Sequence, residues 1–189
     1  MNTPAHLIIG LATFGKGRSK GVPGAALIGA ILPDLSLYLM SAWSFWVIGH
    51  SPGYVFGTLY YSTEWQRVFA VDNSLILWAI ALTFAVWVRS ARAIALTGAA
   101  TLHIVLDFPL HNHDARMHFW PASEWVFISP FSYWDRAYHG NIIGPVEVAI
   151  CAALLWGLWG RFRAPLQRVG LVLLALAELA TGGIFSLIF

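Results

Sequence analysis

Five stretches of this chain carry no lysine or arginine and at most one acid each: residues 22 to 48, 73 to 88, 93 to 110, 142 to 160 and 169 to 188. A hydrocarbon core of roughly 30 Å takes about 20 residues of helix to cross, and lipid offers no partner for a free backbone group, so these runs predict membrane helices. Two of them sit at the short end of that range. Residues 4 to 14 are apolar but too few to span, which predicts a short or partly re-entrant first helix. Composition points the same way: with 58% hydrophobic residues, 11% charged residues and a mean hydropathy of +0.67, a soluble chain of 189 residues could not cover itself with polar surface. The expected fold is an all-α integral membrane protein, a bundle of about six helices with a short first helix and a His-rich outer loop, forming one domain over residues 1–189.

A net charge of +2 gives no nucleic-acid signal, and the single cysteine, Cys151, can form neither an internal disulfide nor a thiolate metal cluster. The amino terminus has no basic stretch ahead of its apolar run and is expected to be retained rather than cleaved. Membrane lipid is the expected surrounding partner.

Orientation follows from the basic residues in the short connections. Lys16, Arg18 and Lys20, then Arg89 and Arg92, then Arg161, Arg163 and Arg168 fall in the first, third and fifth loops, while Arg67, Arg116 and Arg136 fall in the second and fourth. The positive-inside rule makes the odd loops cytoplasmic. Trp87, Trp156 and Trp159 suit the cytoplasmic aromatic belt, and Trp43, Trp46, Trp65, Trp120, Trp125 and Trp134 the opposite one.

On this topology the ionisable residues converge on the outer face. His6 opens the first segment, Asp34 lies within the second, Asp72 caps the third, His103 and Asp107 lie toward the outer end of the fourth, and Glu147 near the outer start of the fifth could join them. The loop from Leu110 to Pro121 holds His111, His113, Asp114, Arg116 and His118. His103, Asp107 and His111 are spaced by four, so a continuing helix puts them on one face, with Asp114 and His118 extending the series. Pro109 is expected to kink or end that helix near 105 to 109. Imidazole and carboxylate without thiolate suit zinc, manganese or iron in a catalytic rather than a closed structural site.

Each of these residues also has a plainer reading. Asp72 before Asn73 and Ser74 is a natural helix N-cap, and Asp34 after Pro33 could cap a broken helix. His111, His113 and His118 could form a solvated loop, and His50 and His139 sit in turns. Glu178, alone mid-segment, is expected to face the bundle interior and to pair with an arginine or stay protonated. The glycines from Gly10 to Gly29 read as close helix packing, since no phosphate-loop pattern occurs.

His6, the Pro33-Asp34 pair, the stretch from His103 to Asp107, and an outer loop ending near Ser129-Pro130-Phe131 resemble a family of bacterial inner-membrane proteins identified as metal-dependent hydrolases, distantly similar to zinc-dependent phospholipase C. The resemblance covers residues 1 to 135. It implies His6, Asp34, His103 and Asp107 as metal ligands and hydrolysis of a phosphoester. Two positions depart from the pattern: Ser36 stands where the family has a second acid, and residues 71 to 74 replace its His-Arg-Gly-x-x-His-Ser stretch. The expected function is thus a metal-dependent hydrolase of a phosphoester, lipid-linked, at the outer face of the inner membrane. His111 would be a further ligand, Asp114 or His118 general acid or base, and Arg116 the partner of the phosphate. Two alternatives stay open: a transporter or metal-handling protein using the same cluster as an ion site, and an assembly partner docking through its outer aromatic loop.

Overall fold

The computed structural model describes residues 1–17 and 19–188; Arg18, one of the basic residues used for orientation, lies outside the described residues. Among the described residues the chain is helical, with no strand. Helix α1, Thr3–Phe14, starts on a proline in its first turn, where a fixed φ helps and no amide hydrogen is missed. Helix α2, Val22–Trp43, widens into a π-helical turn over Ser44–Ile48 and stops at Gly49, whose φ of 83° only glycine adopts without strain. A single turn, α3 (Pro52–Tyr54), and a second π turn lead to α4 (Thr63–Asp72) and α5 (Leu75–Trp87). Helix α6 covers Ala91–Asp107, α7 Gly140–Arg161 and α8 Pro165–Ile188. Ser62, Ser74 and Ser90 cap α4, α5 and α6 by accepting from the backbone nitrogens of Trp65, Leu77 and Ala93.

Among the described residues, three helical stretches are long and apolar enough to cross a membrane: Val22–Ile48, Thr63–Trp87 and Gly140–Arg161. The second corrects the expectation of one span over 73 to 88. Helix α4 fills the latter part of what reads as an outer loop, because Glu64 and Arg67 interrupt the apolar run while Trp65, Phe69 and Ala70 still bury one face. Asp72 ends α4, and the cap of α5 is Ser74. Helix α2 runs unbroken through Pro33, so Asp34 caps nothing. Helix α6 does end at Asp107, two residues before Pro109.

Small residues let α1, α2 and α6 approach closely. Val22, Ala26, Ala30, Ala95 and Ala99 form a fully buried seam, and a Cβ on Gly29 would lie 1.9 Å from the carbonyl oxygen of Leu96. A second core joins Ala5, Ile8 and Leu11 of α1 to Cys151, Leu158 and Leu171. In a third, Trp65 packs with Tyr60 and Phe69, so it is a core residue rather than a member of an aromatic belt. Outward faces are apolar: Trp46, Trp156 and Leu166 are each more than 80% exposed, at 84%, 86% and 82%.

The elements place basic and His/Asp residues at opposite ends. Helix α1 carries His6 early and ends before Gly15, α6 carries Arg92 at its start and Asp107 at its end, and α7 carries Glu147 early and Arg161 at its end. Arg92 lies against Gly21 and Arg161 on the Leu11 carbonyl, so the first, third and fifth loops meet at one end and the 108–139 segment at the other. There Leu75 donates to the His118 carbonyl (2.8 Å), Ser129 Oγ to that of Pro109 (2.5 Å), and Ser74 to that of Trp120. The segment therefore closes over the helix ends.

Candidate metal centre

His103 and Asp107 sit one turn apart on α6, facing His6 of α1. The Nδ1–H of His103 donates to the carbonyl of Ala30 at 2.7 Å, which fixes the tautomer and leaves the lone pair on Nε2. That nitrogen is buried, lies 3.2 Å from Asp107 Oδ2 and 3.7 Å from Asp34 Oδ1, and has no hydrogen-bond partner. A lone pair aimed at two carboxylate oxygens is unfavourable unless a cation or a proton stands between them. His6 Nε2 lies 2.8 Å from Asp107 Oδ1, and its ring stacks on that of His103 at 3.6 Å, tilted by 9°. Its Nδ1 is likewise buried without a partner. His6 and His103 are only 2% and 1% exposed. One ligand atom from each of His6, His103 and Asp107 lies within 4.8 Å of the others, and this buried trio could hold a metal ion. A backbone carbonyl that orients a histidine from behind is the usual companion of such a ligand.

The other expected ligands flank the trio. Asp34 Oδ2 accepts from Thr3 Oγ1 at 2.6 Å, and Thr3 reaches Tyr38 at the same distance. His111 lies beyond the end of α6, yet its Nε2 is 3.2 Å from Asp107 Oδ2 and its Nδ1 2.9 Å from Asp114 Oδ2. Burial works against a charged His111, but Asp107 and Asp114 outweigh it and raise its pKa to about 9. Asp114 is pushed up by burial and held below the ordinary carboxylate range by His111 and the Trp134 indole, which donates to Oδ2 at 3.2 Å.

Arg116 is 6% exposed. Its guanidinium lies 4.8 Å from the Phe69 ring centre and 6.0 Å from that of Tyr60, with Nη1 3.8 Å from Asp34 Oδ1. Burial opposes the charge, yet Tyr60 and Asp34 more than offset it, so the pKa is raised and the group stays cationic. Its Nε has no partner. His118 donates from Nδ1 to the Asn73 carbonyl at 3.0 Å, and burial lowers its pKa, which leaves a neutral ring with a lone pair on Nε2.

The structure separates the remaining candidates. His111 and His118 are buried, so neither belongs to a solvated loop, whereas His113 and His139 are exposed and edge against Tyr138 and Phe131. His50 packs on Tyr54, away from the cluster. Glu147 accepts from both the backbone and side-chain nitrogens of Asn2, at 2.9 and 2.8 Å. Glu178, 2% exposed, faces the interior as expected, but its charged neighbour is Glu147 and not an arginine. The Met1 ammonium, 2.5 Å from Asp107 Oδ1, was not foreseen, nor were the Ala30 carbonyl, Asn2, Thr3, Tyr38, Tyr60 and Asn73. Thr3 stands three residues before His6 and Ala30 four before Asp34, so the three- and four-residue steps of one helix face could have found them. Tyr60 carried no such signal.

The fold and site define a helical protein with a buried imidazole–carboxylate centre able to hold a cation. No family model, curated protein or solved structure matches the chain.

Proposed function

We propose that this chain is an integral membrane hydrolase of the bacterial inner membrane, a bundle of about six membrane helices whose metal centre faces the periplasm and acts on a lipid-linked phosphoester. The observation that carries the reading is His103: its ring is fixed from behind by Ala30, and its free Nε2 points at Asp107 and Asp34 beside a buried, unsaturated guanidinium. His6, His103 and Asp107 would hold the ion, with Asp34 and His111 completing the shell and zinc the best match, manganese or iron the alternatives. When bound, such an ion lowers the pKa of a water toward about 7 and polarises a phosphoryl oxygen. Arg116 faces the same space with an unused Nε–H and pairs with a phosphate oxygen. His118, neutral with Nε2 unprotonated, accepts a proton and returns it to the leaving group, while ionised Asp114 holds His111 in place. The segment over residues 108–139 excludes bulk water from these groups. The membrane placement is supported by the three long apolar stretches, the apolar outward faces and the basic end opposite the centre.

One observation favours the transport reading: Glu147 and Glu178 lie together in the interior and connect through Asn2 to the edge of the cluster, as a proton or ion path would. Elemental analysis of the purified protein, wild type beside His103→Ala and Asp107→Ala, combined with a phosphodiester cleavage assay, tests the proposal. The expected result is about one equivalent of metal and measurable cleavage in the wild type, with both lost at least tenfold in the variants. Folded wild type without stoichiometric metal would overturn the metal centre. Full metal without cleavage, together with ion uptake into proteoliposomes that Asp34→Asn abolishes, would replace hydrolysis with transport.

A further inference from the structure

Helix α1 has 12 residues and is therefore only about 18 Å long, well short of a hydrocarbon core of roughly 30 Å. From the Gly15 end of α1 a gap opens between α2 and α8 and runs back along Leu11 and Leu7 of α1, at the end of the molecule opposite the His/Asp centre. Two cavities occupy it. One, of about 680 Å³, is lined by Lys16, Lys20 and Arg161 and by the backbone of the loop that follows α1. The other, of about 500 Å³, is lined by Leu11, Leu27 and Ile31 on one side and Leu171 and Leu174 on the other. They share Pro23, Phe162 and Gln167, so a basic mouth continues into an apolar groove. The groove follows α2 from Pro23 to Ile31, a length of about 12 Å.

Charge at the mouth is not balanced from within. Among its described lining residues there is no carboxylate. Arg161 is held rigidly, donating from Nη2 to the Leu11 carbonyl at 2.7 Å and lying 5.0 Å over the Phe162 ring, while its Nε has no partner. Its partners are uncharged, and its cationic charge remains available to an anion.

We propose that this composite cavity binds an anionic phospholipid of the cytoplasmic leaflet, with the phosphate at Lys16, Lys20 and Arg161 and one acyl chain in the groove between α2 and α8. The charge of the mouth selects an anion and the apolar groove selects an amphiphile; no single small solute satisfies both. The inference rests on the membrane placement above but not on the metal or the reaction.

The test uses the full chain reconstituted in discs containing equal parts phosphatidylglycerol and phosphatidylcholine, re-extracted and examined by native mass spectrometry, with metal content measured in parallel. Wild type is expected to retain phosphatidylglycerol about tenfold over phosphatidylcholine. The double variant Lys16→Ala/Lys20→Ala, at two exposed positions, removes that preference. Gly170 lines the groove and a side chain there would meet nothing within 4 Å, so Gly170→Trp should fold, fill the groove and displace both lipids. Metal content stays at the wild-type level in both variants, which separates failure here from failure of the metal centre. Equal retention of the two lipids in the wild type would overturn the headgroup site. Undiminished phosphatidylglycerol in Gly170→Trp would overturn the groove, and its complete displacement by millimolar inorganic phosphate would make the mouth a free-anion site.

Discussion

Arg116 and His103 solve the same problem in opposite ways. Each is a buried nitrogen group beside Asp34, but His103 is steered by a carbonyl, whereas Arg116 keeps its charge and is steered by packing on Phe69 and Tyr60. Arginine is suited to that position because its flat guanidinium stacks on a ring and still offers in-plane donors to an anion. Lysine would supply the charge alone. Arg116→Lys is therefore expected to raise KM for a phosphoester about tenfold while leaving metal content and kcat near wild type. Arg116→Ala should in addition cost about 3 kcal/mol of stability, since Asp34 would lose a buried counter-charge. Steady-state kinetics and denaturant titration read the two effects separately. An unchanged KM in Arg116→Lys would remove Arg116 from phosphate recognition.

The centre exists because helices that approach closely carry its side chains, and the closest approach is at Gly29. A methyl group there would lie 1.9 Å from the Leu96 carbonyl oxygen, so α2 and α6 would have to move apart, and the next residue, Ala30, supplies the carbonyl that aims His103. Gly29→Ala is expected to lower stability by about 2 kcal/mol and to weaken metal binding at least tenfold, although no ligand is altered. Gly24→Ala is the control on the same helix: its new methyl meets nothing within 4 Å, so stability should stay within about 0.5 kcal/mol. Thermal unfolding and equilibrium dialysis against zinc distinguish them. Legibility at this scale divides along the same line. Apolar runs and the four-residue step from His103 to Asp107 are local patterns, and the sequence alone exposes them. The helix Thr63–Asp72 escaped because Glu64 and Arg67 mask a buried face, and the role of Asn73 escaped because, following Asp72, it reads as the start of a membrane helix. Here Asn73 donates to the carbonyls of Pro33 and Phe69 and accepts from His118, joining α2, the α4–α5 break and the covering segment. Such roles depend on which distant chain segment arrives, and no local periodicity encodes that.

At the scale of the molecule, half-length α1 sets the arrangement of both ends. It is long enough to bring His6 to Asp107 at one end, and short enough to leave a basic, lipid-sized gap at the other. Arg92 lies against Gly21 at that second end, so residues from the first, third and fifth loops gather there. A basic end resists translocation across an energised membrane, while the loop with His111, Asp114 and His118 holds only Arg116 and Arg136 and crosses more readily. The covering segment should then face the periplasm. Cysteine labelling tests this directly, because the only native thiol, Cys151, is buried at 1% exposure and can be removed as Cys151→Ala. In that background Ser123→Cys and Lys20→Cys place single thiols at exposed positions on the two ends. A membrane-impermeant maleimide applied to intact spheroplasts is expected to label Ser123→Cys, and to label Lys20→Cys only after permeabilisation. The reverse pattern would move the metal centre to the cytoplasm, where its phosphoester would have to come from the inner leaflet, and would place the lipid gap on the outer one.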